Sequence, residues 1–264
     1  MADTALTRPA SPAADTKDAA STPAIGAIRV RDASGPARRQ LVRFALYRVD
    51  LGWRRLDPDI RAAHREEALA VLHRHAERLL LRTYSLVGTR GDADCMLWVA
   101  SEEVDRLHQL FRDLNRTAIG GYLEPAASYT SMTKRSLYFD KARPGNRGGS
   151  ERLVLAPGGK PFLFVYPFVK TRAWWALPPA ERERMMDEHI RVGRDFTGVK
   201  INTTYSFGLD DQEFVVAFEA DSAAEFLDCV QALRDTEASA YTLRDVPSFT
   251  CMAVSPEAML DALG

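Results

Sequence analysis

One histidine in the second half of the sequence has the surroundings of a buried metal ligand or of a buried structural residue. His189 lies on one face of a predicted helix together with Met185, Val192 and Phe196, because these positions recur with helical spacing. A histidine on an apolar face must either satisfy its ring nitrogens by hydrogen bonds or act as a ligand. The residues alone leave both possibilities open, and the structural one is the more common.

The other histidines do not combine with His189 into a metal site, since no HxxH, HxxxH or histidine–carboxylate cluster is present. They are His64, His73, His75 and His108. A lone inward-facing histidine without a protein co-ligand suits one kind of metal site, haem iron, to which the porphyrin supplies four nitrogens.

Composition excludes several classes of function. The chain has 264 residues with 35 Lys and Arg against 36 Asp and Glu, so charge gives no reason to expect binding to nucleic acid or to an anionic membrane. No run approaches the roughly 18 apolar residues that span a bilayer. Residues 1–36 are rich in Ala, Pro, Ser, Thr and Asp and lack the features of a signal peptide, which predicts a disordered tail. Three widely spaced cysteines are typical of reduced thiols, and we expect a cytoplasmic protein.

An internal repeat organises the remaining chain. Thr83-Tyr84-Ser85 and Thr204-Tyr205-Ser206 each precede a glycine, an acidic turn, a short apolar run and a helix-period stretch that ends in Leu-x-x-Thr. Self-similarity at an offset of about 120 residues indicates a duplicated domain rather than a short-period solenoid.

Each repeat predicts the order βαββαβ, the ferredoxin-like unit. Apolar strands are expected at 41–47, 95–100, 161–166, 203–207, 213–219 and 248–254, and helices at 59–80, 104–114, 179–196 and after Asp221-Ser222. The predicted fold class is therefore α+β, with one unit at 37–145 and a second at 146–264. Their sheets would lie side by side or close into a barrel, and residues 139–151 have the composition of a linker.

The second half resembles the chlorite dismutase superfamily, and within it the coproheme decarboxylase branch more than the true chlorite dismutases. The resemblance is carried by Tyr166-Pro167, Lys170, Trp174-Trp175, Glu181-Arg182, Met185-Met186, Glu188-His189 and Thr236-Glu237-Ala238-Ser239. It implies a dimeric α+β barrel with haem b or coproheme III bound in the C-terminal unit, usually in a homopentamer.

The resemblance also implies roles for individual residues. His189 would be the proximal iron ligand, and Glu237 would accept a hydrogen bond from its other ring nitrogen. Trp174 would pack against the porphyrin, form a subunit contact or fill the core. Four residues match positions that contact porphyrin propionates, namely Arg152, Tyr166, Lys170 and Ser239.

The distal side of the expected site differs from the family's defined subgroups. The position of the distal arginine of chlorite dismutases falls on Ile201 or Asn202, and no arginine occurs from Phe196 to Gly208. The resemblance implies peroxide-dependent decarboxylation of coproheme III to haem b, with Tyr166 carrying a radical and Lys170 orienting a propionate. The alternatives are chlorite decomposition, weak haem peroxidase activity, or a haem carrier or sensor without catalysis.

Overall fold

The computed structural model describes residues 39–136, Tyr138 and 153–264. The predicted tail, the predicted linker and Arg152 lie outside these described residues.

The first half contains the predicted strand–helix–strand–strand–helix–strand order, with a short helix after β1 and a 3-10 helix at Ile119–Tyr122 before the last strand. Its elements are β1 (Leu41–Val49), α1 (Leu51–Arg54), α2 (Pro58–Ala76), β2 (Leu80–Ser85), β3 (Cys95–Ser101), α3 (Val104–Asn115) and β4 (Leu123–Met132). Asp57 begins α2, because its side chain accepts a hydrogen bond from Asp59 N while Pro58 occupies the first turn, where its missing N–H costs nothing.

The second half repeats this order with additional short elements. These elements are β5 (Phe162–Lys170), α4 (Arg172–Ala176), α5 (Pro179–Arg194), β6 (Val199–Tyr205), β7 (Phe214–Ala220), α6 (Ala223–Arg234), β8 (Thr242–Arg244), β9 (Phe249–Val254) and α7 (Pro256–Asp261). A 3-10 helix at Glu237–Tyr241 follows α6. The predicted helix cap is confirmed, since Ser222 accepts a hydrogen bond from Ala224 N.

Eight strands pair with one another in a continuous antiparallel ring. In the first half the neighbours are β4, β1, β3 and β2, and in the second half β9, β5, β7 and β6. The halves join where β2 pairs with β9 and where β4 pairs with β6.

The β4–β6 junction is held mainly by polar side chains, because only Met132 and Tyr205 are in register there. Ser206 and Gln212 are buried and both donate to the carbonyl of Thr130. Asp210 accepts from Thr130 N at 2.6 Å. The turn between β6 and β7 therefore fastens the second half to the first.

The apolar core is divided by the sheet. One cluster draws residues from both halves, including Phe44, Trp98, Leu163 and Phe249. Helices also cover the other sheet face of each half, and in the first half these include α7, whose Met259 and Leu260 lie in the same cluster as Trp53 and Leu72, as amphipathic helices require. The helix-covered face of the second half is where the predicted site residues lie.

Candidate functional site

Helix α5 directs His189 toward the second-half sheet, as the sequence predicted. Met185, one turn earlier, is buried, and Val192 and Phe196 pack against the core formed by β5, β7 and α6. His189 itself is half-buried.

The hydrogen bonds of His189 assign its tautomer. Its Nδ1 lies 2.8 Å from Oγ1 of Thr236, and that hydroxyl donates to the carbonyl of Leu233 at 2.7 Å. Because a hydroxyl has one hydrogen to donate, the imidazole must be the donor in the first bond. Nδ1 therefore carries the proton, and Nε2 keeps a free lone pair suited to a metal ion.

The imidazole is also neutral at physiological pH. Burial lowers the pKa of His189 to about 4, the charge of Lys170 acts in the same direction, and Glu188 opposes it. A neutral ring is the form that binds metals.

Lys170 places a buried ammonium group beside this histidine. The residue is only 8% exposed, and its Nζ donates to the carbonyl of Ala238 at 2.5 Å and lies 4.6 Å from the ring centroid of Trp174. Burial lowers the pKa of Lys170 to about 8, against the opposing effect of Glu213. Within the described parts of the chain Nζ forms no ion pair with a carboxylate. A buried cation with unused donors is arranged to receive an anionic group.

Tyr166 lies on the same face of β5 as Lys170, four residues earlier, at a separation of about 13 Å. Its ring stacks on Phe218 with centroids 6.0 Å apart. Burial raises the pKa of Tyr166 far above its usual range, Asp245 adds to the rise, and Arg234 opposes it. The phenol therefore stays protonated across the physiological range.

Trp174 contacts the ammonium of Lys170, and Ser239 follows Ala238, whose carbonyl accepts from that ammonium. Trp174 is buried, packs with Met185 and Ala238, and has its ring centroid 5.5 Å from that of Tyr241. This places Trp174 in a core cluster that also lines the ammonium. Ser239 is half-buried in the 3-10 helix after α6.

The strand register separates the two candidates for the distal position. Ile201 pairs with Phe218 of the helix-covered face. Its Cδ1 lies 3.9 Å from the point that a Cβ atom would occupy at Gly193, one helical turn beyond His189. Asn202 points to the other face, where Nδ2 donates to Glu219. The residue that faces the helices is therefore the apolar Ile201, which is 46% exposed.

The predicted contact between Glu237 and His189 is not what the structure shows. Both carboxylate oxygens of Glu237 accept from Nη2 of Arg184, at 3.1 and 2.9 Å. The 3-10 helix turns this side chain toward the first turns of α5, where a guanidinium competes for it. Thr236, which belongs to the motif but had no predicted role, is the imidazole partner instead.

Besides Thr236, one further residue escaped the sequence analysis because its role depends on the tertiary fold. It is Glu213, which contacts both Lys170 and Trp175. Across the described residues, no group of three or more His, Cys, Asp or Glu side chains is arranged around a possible metal ion. No helix in the same residues is long and apolar enough to cross a membrane.

Comparison with known proteins gives consistent relatives. The profile of a family described as chlorite dismutase matches residues 61–254. Coproheme decarboxylase of Mycolicibacterium smegmatis is 33% identical over 181 residues, which cover 68% of this chain and 75% of that protein. Chlorite dismutase from Candidatus Nitrospira defluvii in complex with imidazole superimposes with a TM-score of 0.76 at 23% identity, covering 85% of this chain and 94% of its own. An arginine-to-lysine mutant of that enzyme gives a TM-score of 0.77 at the same identity and coverage.

Proposed function

This chain belongs to the chlorite dismutase family, and from that premise we propose that it binds coproheme III and decarboxylates it oxidatively to haem b with hydrogen peroxide. We interpret the ring of strands as a dimeric α+β barrel of two ferredoxin-like units, with the porphyrin held in the second. A homopentamer remains a prediction from the resemblance, and a cytoplasmic location remains a prediction from the sequence composition.

The observation that carries the proposal is the pairing of a neutral imidazole with a buried, unpaired ammonium. An iron porphyrin with propionate side chains needs both a nitrogen donor for the metal and cations for its carboxylates. His189 offers Nε2, because Thr236 occupies Nδ1. Lys170 offers N–H donors in a site that excludes water on most sides. The residues present therefore fit the group.

Each residue has a defined task in this proposal. His189 would hold the iron, Thr236 would fix its ring orientation, and Lys170 would orient a reacting propionate, together with Ser239 and, by resemblance, Arg152. The bound iron porphyrin supplies the redox chemistry with peroxide. Tyr166, kept protonated by burial, would give up its phenolic hydrogen atom and then abstract one from the propionate. Loss of carbon dioxide leaves a vinyl group, so each propionate consumes one peroxide and releases two waters.

The apolar distal position favours this reaction over chlorite decomposition. Ile201 has no hydrogen-bond donor, whereas stabilising an oxyanion beside iron requires one. Ile201 also suits a haem carrier, but a carrier gains nothing from a protonated phenol on the face that carries Lys170.

Mass spectrometry of the purified protein with coproheme III and titrated peroxide tests the proposal. We expect the porphyrin to lose one carbon dioxide together with two hydrogens, and then to lose the same again from a second propionate. His189→Ala should abolish this turnover and the iron–imidazole band in resonance Raman spectra. An unchanged porphyrin mass in the wild-type reaction would contradict the proposed activity, and an unchanged Raman band would contradict the ligand.

A further inference from the structure

We infer that Glu213 is a positioning residue of the proposed porphyrin site, whose carboxylate fixes Lys170 and Trp175 by joining the end of β5 to α4. The inference rests on the proposed function. Oε2 of Glu213 accepts from Lys170 N at 2.9 Å, and Oε1 accepts from Trp175 Nε1 at 2.8 Å. The backbone N–H of Glu213 donates to the carbonyl oxygen of Phe168 at 3.2 Å. One side chain thus connects β5, α4 and the start of β7.

The corner that Glu213 holds sets where the ammonium of Lys170 lies. Lys170 ends β5, and α4 begins two residues later after Thr171, whose hydroxyl accepts from Trp174 N. Nζ of Lys170 rests over the ring of Trp174, in the same short helix. A rotation of α4 relative to β5 would therefore move the ring away from the ammonium. The carboxylate of Glu213 opposes that rotation because it bonds to both elements.

The hydrogen bonds of the Glu213 carboxylate leave the ammonium group of Lys170 available to a ligand. Its oxygens are occupied by a backbone N–H and an indole N–H, and it forms no ion pair with Nζ. Its charge nevertheless acts on Lys170 against the effect of burial. A carboxylate bonded directly to Nζ would instead compete with a propionate for the same donors. This arrangement supports a cation that is held in place but still available.

The contact itself can be tested in the protein without porphyrin. The chain has four tryptophans, so its indole N–H signals are few in a 1H–15N spectrum. The indole signal of Trp175 is assigned as the one that disappears in Trp175→Phe. Glu213→Gln is nearly isosteric and should shift that signal. The signals of Trp53 and Trp98, whose Nε1 atoms have no hydrogen-bond partner, should stay in place and show that the variant is folded. An unmoved Trp175 signal would overturn the contact.

A double-mutant cycle on coproheme III affinity tests the positioning role. Lys170→Met should weaken binding about 10- to 100-fold, the range of one charge-assisted hydrogen bond. Glu213→Gln should weaken it about 3- to 10-fold when Lys170 is present, and not further in the Lys170→Met background, because contacting residues couple. The matched control Asp187→Asn removes an exposed carboxylate from α5 and should leave affinity unchanged.

The outcomes separate the inference from the proposed function. Wild-type protein that fails to bind coproheme III would overturn the proposed function and the inference with it. Binding that is weakened by Lys170→Met, but unaffected by Glu213→Gln or weakened additively in the double variant, would overturn the inference alone.

Discussion

Replacing Thr236 by valine tests the assignment of the imidazole tautomer. The hydroxyl is buried, and the change removes two hydrogen bonds, from Nδ1 of His189 and to the carbonyl of Leu233. That carbonyl still accepts from Thr236 N at 3.3 Å, so it stays satisfied. The imidazole N–H is left without a partner in a half-buried position. An unsatisfied buried donor costs about 1–3 kcal/mol, and partial exposure places the expected loss of stability near the lower end.

The larger effect of Thr236→Val should fall on porphyrin binding. Loss of the residue that orients a metal-bound histidine typically costs about 10- to 100-fold in metal affinity. We expect such a loss in a coproheme III titration at neutral pH, with urea unfolding measured in parallel. Thr236→Ser keeps the hydroxyl and should bind like the wild type. Wild-type affinity in Thr236→Val would refute the argument that Thr236 sets the orientation of the imidazole.

Three further predictions concern the reaction and its pH dependence. Tyr166→Phe should change coproheme III affinity by no more than one neutral hydrogen bond, about 0.5–1.5 kcal/mol, yet lower decarboxylation by orders of magnitude; retained turnover would remove Tyr166 from the mechanism. Coproheme III affinity should fall as the pH rises through about 8, because only the protonated form of Lys170 attracts a carboxylate and its pKa is lowered to about 8; Lys170→Met should flatten that dependence. Chlorite should not support sustained oxygen evolution, since Ile201 offers no hydrogen-bond donor to the oxyanion. Sustained oxygen evolution measured with an oxygen electrode would contradict this prediction.

The repeat made most of the fold predictable, and the exceptions have physical causes. The sequence predicts a strand at 161–166 that ends before Pro167, and proline ordinarily interrupts a sheet ladder. The strand continues to Lys170 because β9 pairs with it only up to Val165 and β8 only from Val169. The gap between these two partners accommodates the residue without an N–H. Sequence patterns do not show which side of a strand lacks a partner.

The site was less predictable than the fold because its contacts cross between elements. Helical spacing was enough to turn His189 inward, and it also identified the apolar neighbours. The partner of its Nδ1 was not predictable from spacing, since it depends on how the turn after α6 packs on α5. Arg184 is recognisable as a competitor for the Glu237 carboxylate only once the packing of the 3-10 helix against α5 is known.

Comparison of the two halves indicates which contacts around His189 belong to the duplicated fold. Thr117 and Thr236 each close the Leu-x-x-Thr segment by donating to the leucine carbonyl at 2.7 Å. In both halves the following backbone N–H donates to a glutamate of the preceding long helix, Glu67 on α2 and Glu188 on α5.

The residue after that glutamate is the fully buried Ala68 in the first half and His189 in the second. The threonine bond to the leucine carbonyl therefore belongs to the repeated scaffold. Because this bond uses the only hydrogen of the hydroxyl, each oxygen can only accept. Oγ1 of Thr117 accepts from Gly120 N in the first half, and Oγ1 of Thr236 accepts from Nδ1 of His189 on α5 in the second half. A single change from a small apolar residue to histidine at that position meets an acceptor already in place. In the second half this bond places the proton on Nδ1 and leaves the lone pair of Nε2 free.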